Sequence, residues 1–350
     1  MTIRENASLR GYNTFGIDVN ARYLVTIQHT EELEDIFRSH LLLDYPHLIL
    51  GGGSNILFTE NYPGVVIHIN TSGMEVVDKD QINAASMPVT DSSNQVFVKA
   101  EAGVQWDAFV SHAVARGWGG LENLSLIPGQ VGSSPIQNIG AYGVELKDRF
   151  FCLEAFEKRT GNIRRFYRDS CQFGYRDSYF KHQGKDNYVI INVTFGLTTS
   201  KHTVNASYTS LRDELASQGI SEPGIADIRK AVIRIRESKL PDPAITGNAG
   251  SFFKNPVVAF DQFEALKKSW PGMVAYREQN GMKLAAGWLI EKAGWKGHRQ
   301  GDAGVHHKQA LVLVNHGNAT GKEMFDLAEE IRESVKNQFD VGLISEVHII

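Results

Sequence analysis

Apolar residues recur at helical spacing through residues 30–41, where Leu33, Ile36, Phe37 and Leu41 share a face, and a run His47-Leu48-Ile49-Leu50 follows and stops at three glycines. This pattern predicts a helix, a strand and a tight loop, in that order. Residues 64–70 and 96–100 read as strands, separated by a polar, turn-rich stretch at 78–94. Trp106, Phe109, Val110, Ala113 and Val114 mark one face of a helix that Gly117 is placed to end. Residues 152–156 and 189–195 are strands by the same reading, and Ile225, Ile228, Val232 and Ile235 line a helix. Pro241 and Pro243 then form a stiff break, taken as a domain boundary. Beyond it come helices near 260–268 and 284–293, a strand at 310–314, a helix through Met324, Leu327, Ala328, Ile331 and Val335, and a terminal strand at 343–350. Helices and strands are mixed with no internal repeat and no low-complexity tail, so the fold class is α+β.

One segment has neither period. Residues 119–143 are rich in Gly, Pro, Ser and Asn, with Ile127, Ile136 and Ile139 scattered among them. A loop of that length inside a globular domain is usually functional. Glycine is also abundant overall, at 33 of 350 residues without a collagen-like period, which implies many positions at φ > 0 or in close approach to a ligand.

Composition narrows the function classes. With 36 Lys plus Arg against 40 Asp plus Glu, the formal charge of −4 argues against a basic nucleic-acid-binding surface. Cys152 and Cys171 are too few for a disulfide framework and read as reduced thiols. No apolar run reaches signal-peptide or membrane-spanning length, so a soluble cytoplasmic protein is expected, with no membrane and no nucleic acid as partner. The turn Gly51-Gly52-Gly53-Ser54-Asn55 follows a strand, but Ile56 stands where a Rossmann fingerprint needs its third glycine. Asp186 after Gly184-Lys185 and Glu323 after Gly321-Lys322 exclude a P-loop. The 12 histidines form no metal-binding spacing, and no metal is expected. What remains is the glycine turn at 51–55 and the loop Pro128-Gly129-Gln130-Val131-Gly132-Ser133-Ser134-Pro135-Ile136-Gln137-Asn138-Ile139-Gly140-Ala141-Tyr142-Gly143. Both offer backbone N–H groups to an anion.

These two motifs, in this pairing, resemble the UDP-N-acetylenolpyruvoylglucosamine reductase family. The resemblance continues through Tyr175-Arg176-Asp177-Ser178-Tyr179-Phe180-Lys181, Lys239-Leu240-Pro241-Asp242-Pro243, Gly247-Asn248-Ala249-Gly250-Ser251-Phe252-Phe253-Lys254-Asn255-Pro256 and Ile344-Ser345-Glu346-Val347, in family order. It implies the FAD-binding fold of the vanillyl-alcohol oxidase type with a separate α+β substrate-binding domain. The segments expected are 1–70, completed by 340–350, and 71–240 for FAD, then 241–339 for substrate. By this resemblance FAD is held by Gly51, Gly52, Gly53, Ser54, Asn55, Pro128, Gly129, Gly132, Ser133, Ile136, Gln137, Asn138, Gly140 and Ala141. It is non-covalent, since Ser54 stands at the turn where other members of the fold carry a linking histidine.

The implied reaction takes hydride from NADPH through FAD to an enolpyruvyl ether, leaving charge that the substrate carboxylate delocalises before C2 is protonated. Arg176 matches the guanidinium on that carboxylate, Ser251 the proton donor, and Glu346 the carboxyl that polarises the enolpyruvyl unit, for which burial would raise its pKa. Tyr175, Tyr208, Lys239, Asn255 and Gln309 match substrate-binding positions, Tyr208 placing the chain in the branch with a tyrosine-bearing loop. Gly304, just before His306-His307-Lys308-Gln309, stands where a larger residue is expected. A monomer is expected. The competing readings are an oxygen-using oxidase on the same fold, recognised by peroxide formed with alcohol consumption, and a non-catalytic flavin- or sugar-nucleotide-binding module.

Overall fold

The protein's structure, a computed structural model, describes residues 1–78 and 94–350. Most of the turn-rich stretch expected at 78–94 therefore lies outside the described residues. The chain falls into two compact units: one made of residues 1–5, 23–52 and 63–238, the other of 6–22, 53–62 and 239–350. Residues 1–70 are thus shared between both units, while 241–339 lie wholly in the second.

In the first unit an antiparallel sheet of five strands runs in the order Ile163–Tyr167, Phe150–Glu157, Tyr188–Thr198, Gln95–Glu101, Met74–Val77. Its central strand Tyr188–Thr198 is apolar on both faces because each face meets a core. Val189 and Ile191 pack with Ile27, Leu33, Ile36 and Ile67; Ile190, Val193 and Phe195 pack with Trp106, Phe109 and Leu153. Strict alternation would put Val193 with Ile191. An extra residue at Ile191, unpaired between Glu154 opposite Asn192 and Ala155 opposite Ile190, reverses the alternation from there on. Four strands form a further sheet in the order Thr2–Ser8, Asn20–Ile27, Tyr62–Ile69, His47–Leu50, the last pair parallel.

The helix Trp106–Ala115 buries Trp106, Phe109, Val110 and Ala113 at the expected spacing, and Gly117, at φ +73°, turns the chain out of it. Trp106 and Phe109 stack edgewise or tilted on Phe195, with ring centroids 5.8 and 4.9 Å away. The expected helix through 30–41 is two pieces, Glu32–Arg38 and Leu41–Asp44, because Ser39 takes an extended backbone and its hydroxyl donates to the Ile36 carbonyl. Cys152 and Cys171 are free and buried, and burial pushes their thiols up to about 11 and about 12, so they stay protonated near neutral pH.

In the second unit, Val257–Val258, Gly281–Leu284 and Ala275–Glu278 form one antiparallel sheet, and Arg299–Gln300, Ala303–Val305 and Leu313–Asn315 another. The helix Gly321–Phe339 starts at a capping box between Thr320 and Glu323 and buries Met324, Leu327, Ala328, Ile331, Val335 and Phe339. Two strands are shorter than their hydrophobic runs suggest. At 310–314 only Leu313–Asn315 pairs as a strand, since the Val312 amide turns back to the Gln309 carbonyl. The terminal strand shrinks to His348–Ile349, parallel to Ile56–Leu57. Among the described residues no helix is long and apolar enough to cross a membrane.

Candidate active site

Gly51 and Gly52 meet the glycine-rich loop within the first unit. A β-carbon on Gly52 would lie 3.1 Å from the Gly129 Cα, and one on Gly51 3.1 Å from Gln130 Oε1, so the two glycines pack on the backbone of Gly129 and the side chain of Gln130. The loop hangs from the sheet's bulge: the Ala102 amide donates to the Ile191 carbonyl, and the Gly132 amide donates to the Ala102 carbonyl at 2.9 Å. Gly132 has no room for a side chain, since its β-carbon would come 2.5 Å from that of Ala102. Gly129, at φ +112°, accepts the Trp106 amide. Glycine segments in such close approach expose backbone N–H groups without β-carbons, a donor set whose chemistry suits the diphosphate of a flavin dinucleotide. Gln130 adds a buried Oε1 with no hydrogen-bond partner among the described residues. Sequence reasoning passed over Gln130 because it stands among glycines and serines with stronger claims as anion donors.

Downstream, the loop is held open by its own polar side chains. Ser133 and Ser134 donate to the Gln130 and Val131 carbonyls, closing a short 3-10 turn at Val131–Ser133. Asn138, buried and at φ +44°, donates to the Gly174 carbonyl and accepts from the Lys147 amide, each at 3.0 Å. Its amide thus fixes the loop to the turn that carries Arg176. Pro128 and Ile136 are exposed, Gln137 is half-buried, and Gly140–Ala141 pairs with Val144–Glu145 in a small hairpin.

Arg176 sits at φ +52°, a conformation that side chains rarely adopt. Its Nη2 donates to the Gly140 carbonyl at 2.6 Å, and its guanidinium lies 5.4 Å from the ring centroid of Tyr175. The neighbouring Asp177 is engaged by His182 at 2.8 Å. Tyr208, exposed, sets its ring edgewise on Tyr142 with centroids 5.4 Å apart, and Tyr142 itself is at φ +48°. The buried Asn123 ties the two tyrosine segments together, donating to the Tyr142 and Asn205 carbonyls.

In the second unit Ser251 and Glu346, far apart in sequence, become neighbours. Phe252 lies between two chains: its amide donates to the Leu311 carbonyl at 2.8 Å, and its carbonyl accepts the Glu346 amide at 2.7 Å. Ser251 is exposed and its hydroxyl has no partner among the described residues; Glu346 is half-buried. Gly250, at φ +69° and with its amide donating to the buried Asn248, aims the segment outward. On the other side of Glu346, Asn55 donates from Nδ2 to its carbonyl at 3.1 Å and accepts the His348 amide at 3.0 Å. The last residue of the glycine turn is therefore hydrogen-bonded to the segment that carries Glu346. Gly53, at φ +63°, lies against Tyr12, whose carbonyl would be 2.0 Å from a β-carbon there.

Asn255 Oδ1 accepts the Ala286 amide at the start of the helix Ala286–Lys292, which leaves its Nδ2 as an uncommitted donor. Gln309 is half-buried beside Gly287, and Lys239 is the exposed last residue of the helix Ile225–Lys239. Gly304 is explained by packing: a β-carbon there would come 3.0 Å from the His316 ring and from the His298 carbonyl.

Residues 242–350 match the family described as UDP-N-acetylenolpyruvoylglucosamine reductase, C-terminal domain, and residues 21–167 match an FAD binding domain. The chain is 44% identical to the UDP-N-acetylenolpyruvoylglucosamine reductase of Flavobacterium johnsoniae, covering 100% of each chain. It is 45% identical to that of Pseudomonas aeruginosa, covering 100% of this chain and 99% of the relative. The crystal structure of the UDP-N-acetylenolpyruvylglucosamine reductase from Thermus caldophilus shares the fold, with a TM-score of 0.65 at 24% identity over 99% of both chains.

Proposed function

Because the chain belongs to the UDP-N-acetylenolpyruvoylglucosamine reductase family, we propose that Arg176, Ser251 and Glu346 carry the chemistry that this membership defines. The protein is an FAD-dependent UDP-N-acetylmuramate dehydrogenase with NADPH as reductant. It reduces UDP-N-acetyl-3-O-(1-carboxyvinyl)glucosamine to UDP-N-acetylmuramate in peptidoglycan precursor synthesis. When bound, FAD supplies the hydride that reaches C3 of the enolpyruvyl group.

Arg176 binds the substrate carboxylate through its planar fork, so that the charge left at C2 spreads onto an oxygen pair already neutralised. Ser251 gives its hydroxyl proton to C2. A serine hydroxyl is a weak acid, but a carbon-centred enolate is a strong base, and a stronger acid would already be ionised at neutral pH. Glu346, in its protonated form, polarises the enolpyruvyl unit. The observation that supports this division is the pairing of the Glu346 amide with the carbonyl of Phe252, directly after Ser251. Tyr175, Tyr208, Lys239, Asn255 and Gln309 hold the sugar nucleotide; the uncommitted Nδ2 of Asn255 is a donor suited to a diphosphate oxygen. The residues of the two glycine loops hold FAD without a covalent link. Residues 1–70 with 340–350, and 71–240, serve the cofactor, and 241–339 the substrate. The enzyme works as a cytoplasmic monomer.

A two-step spectrum tests the reading. NADPH, added without oxygen, should bleach the flavin absorbance of the purified yellow protein, and the enolpyruvyl sugar nucleotide should then restore it. Bleaching that the sugar nucleotide fails to reverse would contradict the proposed substrate.

A further inference from the structure

The helix Ile225–Lys239 buries Ile228, Val232 and Ile235, and two arginines on it reach toward the residues around the glycine-rich loop. They differ in how they are neutralised. Arg229 makes a two-pronged pair with Asp107, Nη1 to Oδ1 at 2.7 Å and Nη2 to Oδ2 at 2.9 Å. Arg236, two turns on, has no carboxylate to itself. Its Nε donates to the Leu126 carbonyl at 3.2 Å, and its two Nη groups have no hydrogen-bond partner among the described residues. Asp107 is within electrostatic reach but already committed, since Oδ1 also accepts the Leu126 amide at 2.5 Å.

A partly buried guanidinium without its own anion is costly, and burial here pushes its pKa down. Its surroundings indicate what offsets that cost. Leu126, at φ +58°, opens the glycine-rich loop, and Tyr142, at φ +48°, lies near its end and within electrostatic reach of Arg236. The Tyr142 ring touches Tyr208. Arg236 and the two phenols so arranged offer several donors to one multiply charged group.

We propose that Arg236 binds the diphosphate of an exchangeable nucleotide through its two Nη groups, while its Nε holds Leu126 in place. The inference rests on the functional reading only in that the exchangeable nucleotides are the UDP sugar and NADPH. It adds a binding residue that no motif marked.

The test uses the FAD-loaded enzyme with UDP and with NADP⁺, neither of which turns over, and measures their affinities calorimetrically in wild type, Arg236→Gln and Arg236→Lys. Removing a charged hydrogen-bonding partner is expected to weaken the nucleotide concerned by about ten- to a hundredfold. Arg236→Lys, which keeps the charge and loses the fork, falls between. Weakening of UDP alone assigns Arg236 to the sugar nucleotide, of NADP⁺ alone to the reductant, and of both to a shared site. Unchanged affinities for both, with a lowered melting temperature or lost FAD, would overturn the inference and leave Arg236 as a clamp on Leu126. Wild type binding neither nucleotide would instead contradict the functional reading, and this inference with it.

Discussion

The two units differ in which side chains they leave uncommitted among the described residues. Around the glycine-rich loop of the first, side chains serve backbone: Asn138 holds Gly174 and Lys147, Arg176 holds the Gly140 carbonyl, and Asp107 holds the amide of Leu126. Around Ser251 in the second, Asn248, Asn255 and Asn55 likewise hold the Gly250 amide, the Ala286 amide and the Glu346 carbonyl, but site side chains keep free donors. Main-chain hydrogen bonds through Phe252, Lys254 and Asn55 fix the strands, and the Ser251 hydroxyl and the Asn255 Nδ2 are left uncommitted. The contrast fits the two tasks. A cofactor's diphosphate is recognised by backbone donors held in unusual conformations, whereas proton transfer needs a side chain that no protein group competes for.

The sharpest way to break this contrast is at Ser251. Ser251→Ala should lower steady-state turnover by about a hundred- to ten-thousandfold, the range typical of a lost general acid. Its melting temperature should match wild type, because the hydroxyl has no partner among the described residues; a fall in stability of similar weight would show that Ser251 is structural. Arg176→Met should raise the KM for the sugar nucleotide by about ten- to a hundredfold through the lost carboxylate contact. Because Arg176 also holds the Gly140 carbonyl, the same change should loosen FAD, and Arg176→Lys should not restore either property. Steady-state kinetics with an FAD-retention assay checks both effects, and an unaltered KM would remove Arg176 from the substrate.

Smaller effects separate the two kinds of glycine. Gly132→Ala forces a β-carbon onto Ala102 and should cost about 1–3 kcal/mol of stability, with weaker FAD binding. Gly250→Ala meets no atom within 4 Å and pays only for its positive φ, about 1–2 kcal/mol, with FAD affinity unchanged. Thermal melts and FAD titrations compare them; equal loss of FAD in both would erase the distinction between the halves. Last comes a pH effect confined to the first unit. Burial alone would raise the Asp107 pKa, but hydrogen bonds from Arg229 and the Leu126 amide outweigh it and hold the carboxyl below its ordinary range. A carboxyl whose folded pKa is depressed adds stability above its unfolded value, about 4, and loses it as pH falls through the folded one. Urea unfolding should therefore show Asp107→Asn less stable than wild type at pH 7, with the gap closing toward acid pH. A gap that does not narrow as the pH falls below 4 would contradict the assignment.

Much of this was legible in the sequence where one residue type has one physical reason to be present. The glycines at 51–53 and the loop from Pro128 to Gly143 announced close approach of backbone, which the packing of Gly52 on Gly129 and Gly132 on Ala102 bears out, and the helix Trp106–Ala115 announced its buried face. The reversal at Ile191 was invisible, since a bulge adds a residue without changing the apolar character of its strand. The strand Thr2–Ser8 went unseen because it buries only Ala7. The terminal run failed as a strand because residues 344–346 meet the Phe252–Lys254 segment by single bridges rather than a continuous ladder. Ser251 and Glu346 could be joined only by resemblance, as no local pattern records a tertiary pairing. Arg236 left no mark at all, because a charged position on an amphipathic helix looks like solvent-facing surface until its missing partner is seen.

The central claim is that the Ser251 hydroxyl supplies the proton in substrate reduction and has no part in handling NADPH. Single-turnover stopped-flow spectroscopy on Ser251→Ala, following flavin absorbance without oxygen, measures both halves in one sample. The account predicts bleaching by NADPH at the wild-type rate, followed by recovery with the enolpyruvyl sugar nucleotide slowed by about a hundredfold or more. Equal slowing of both phases, or recovery at the wild-type rate, would contradict it.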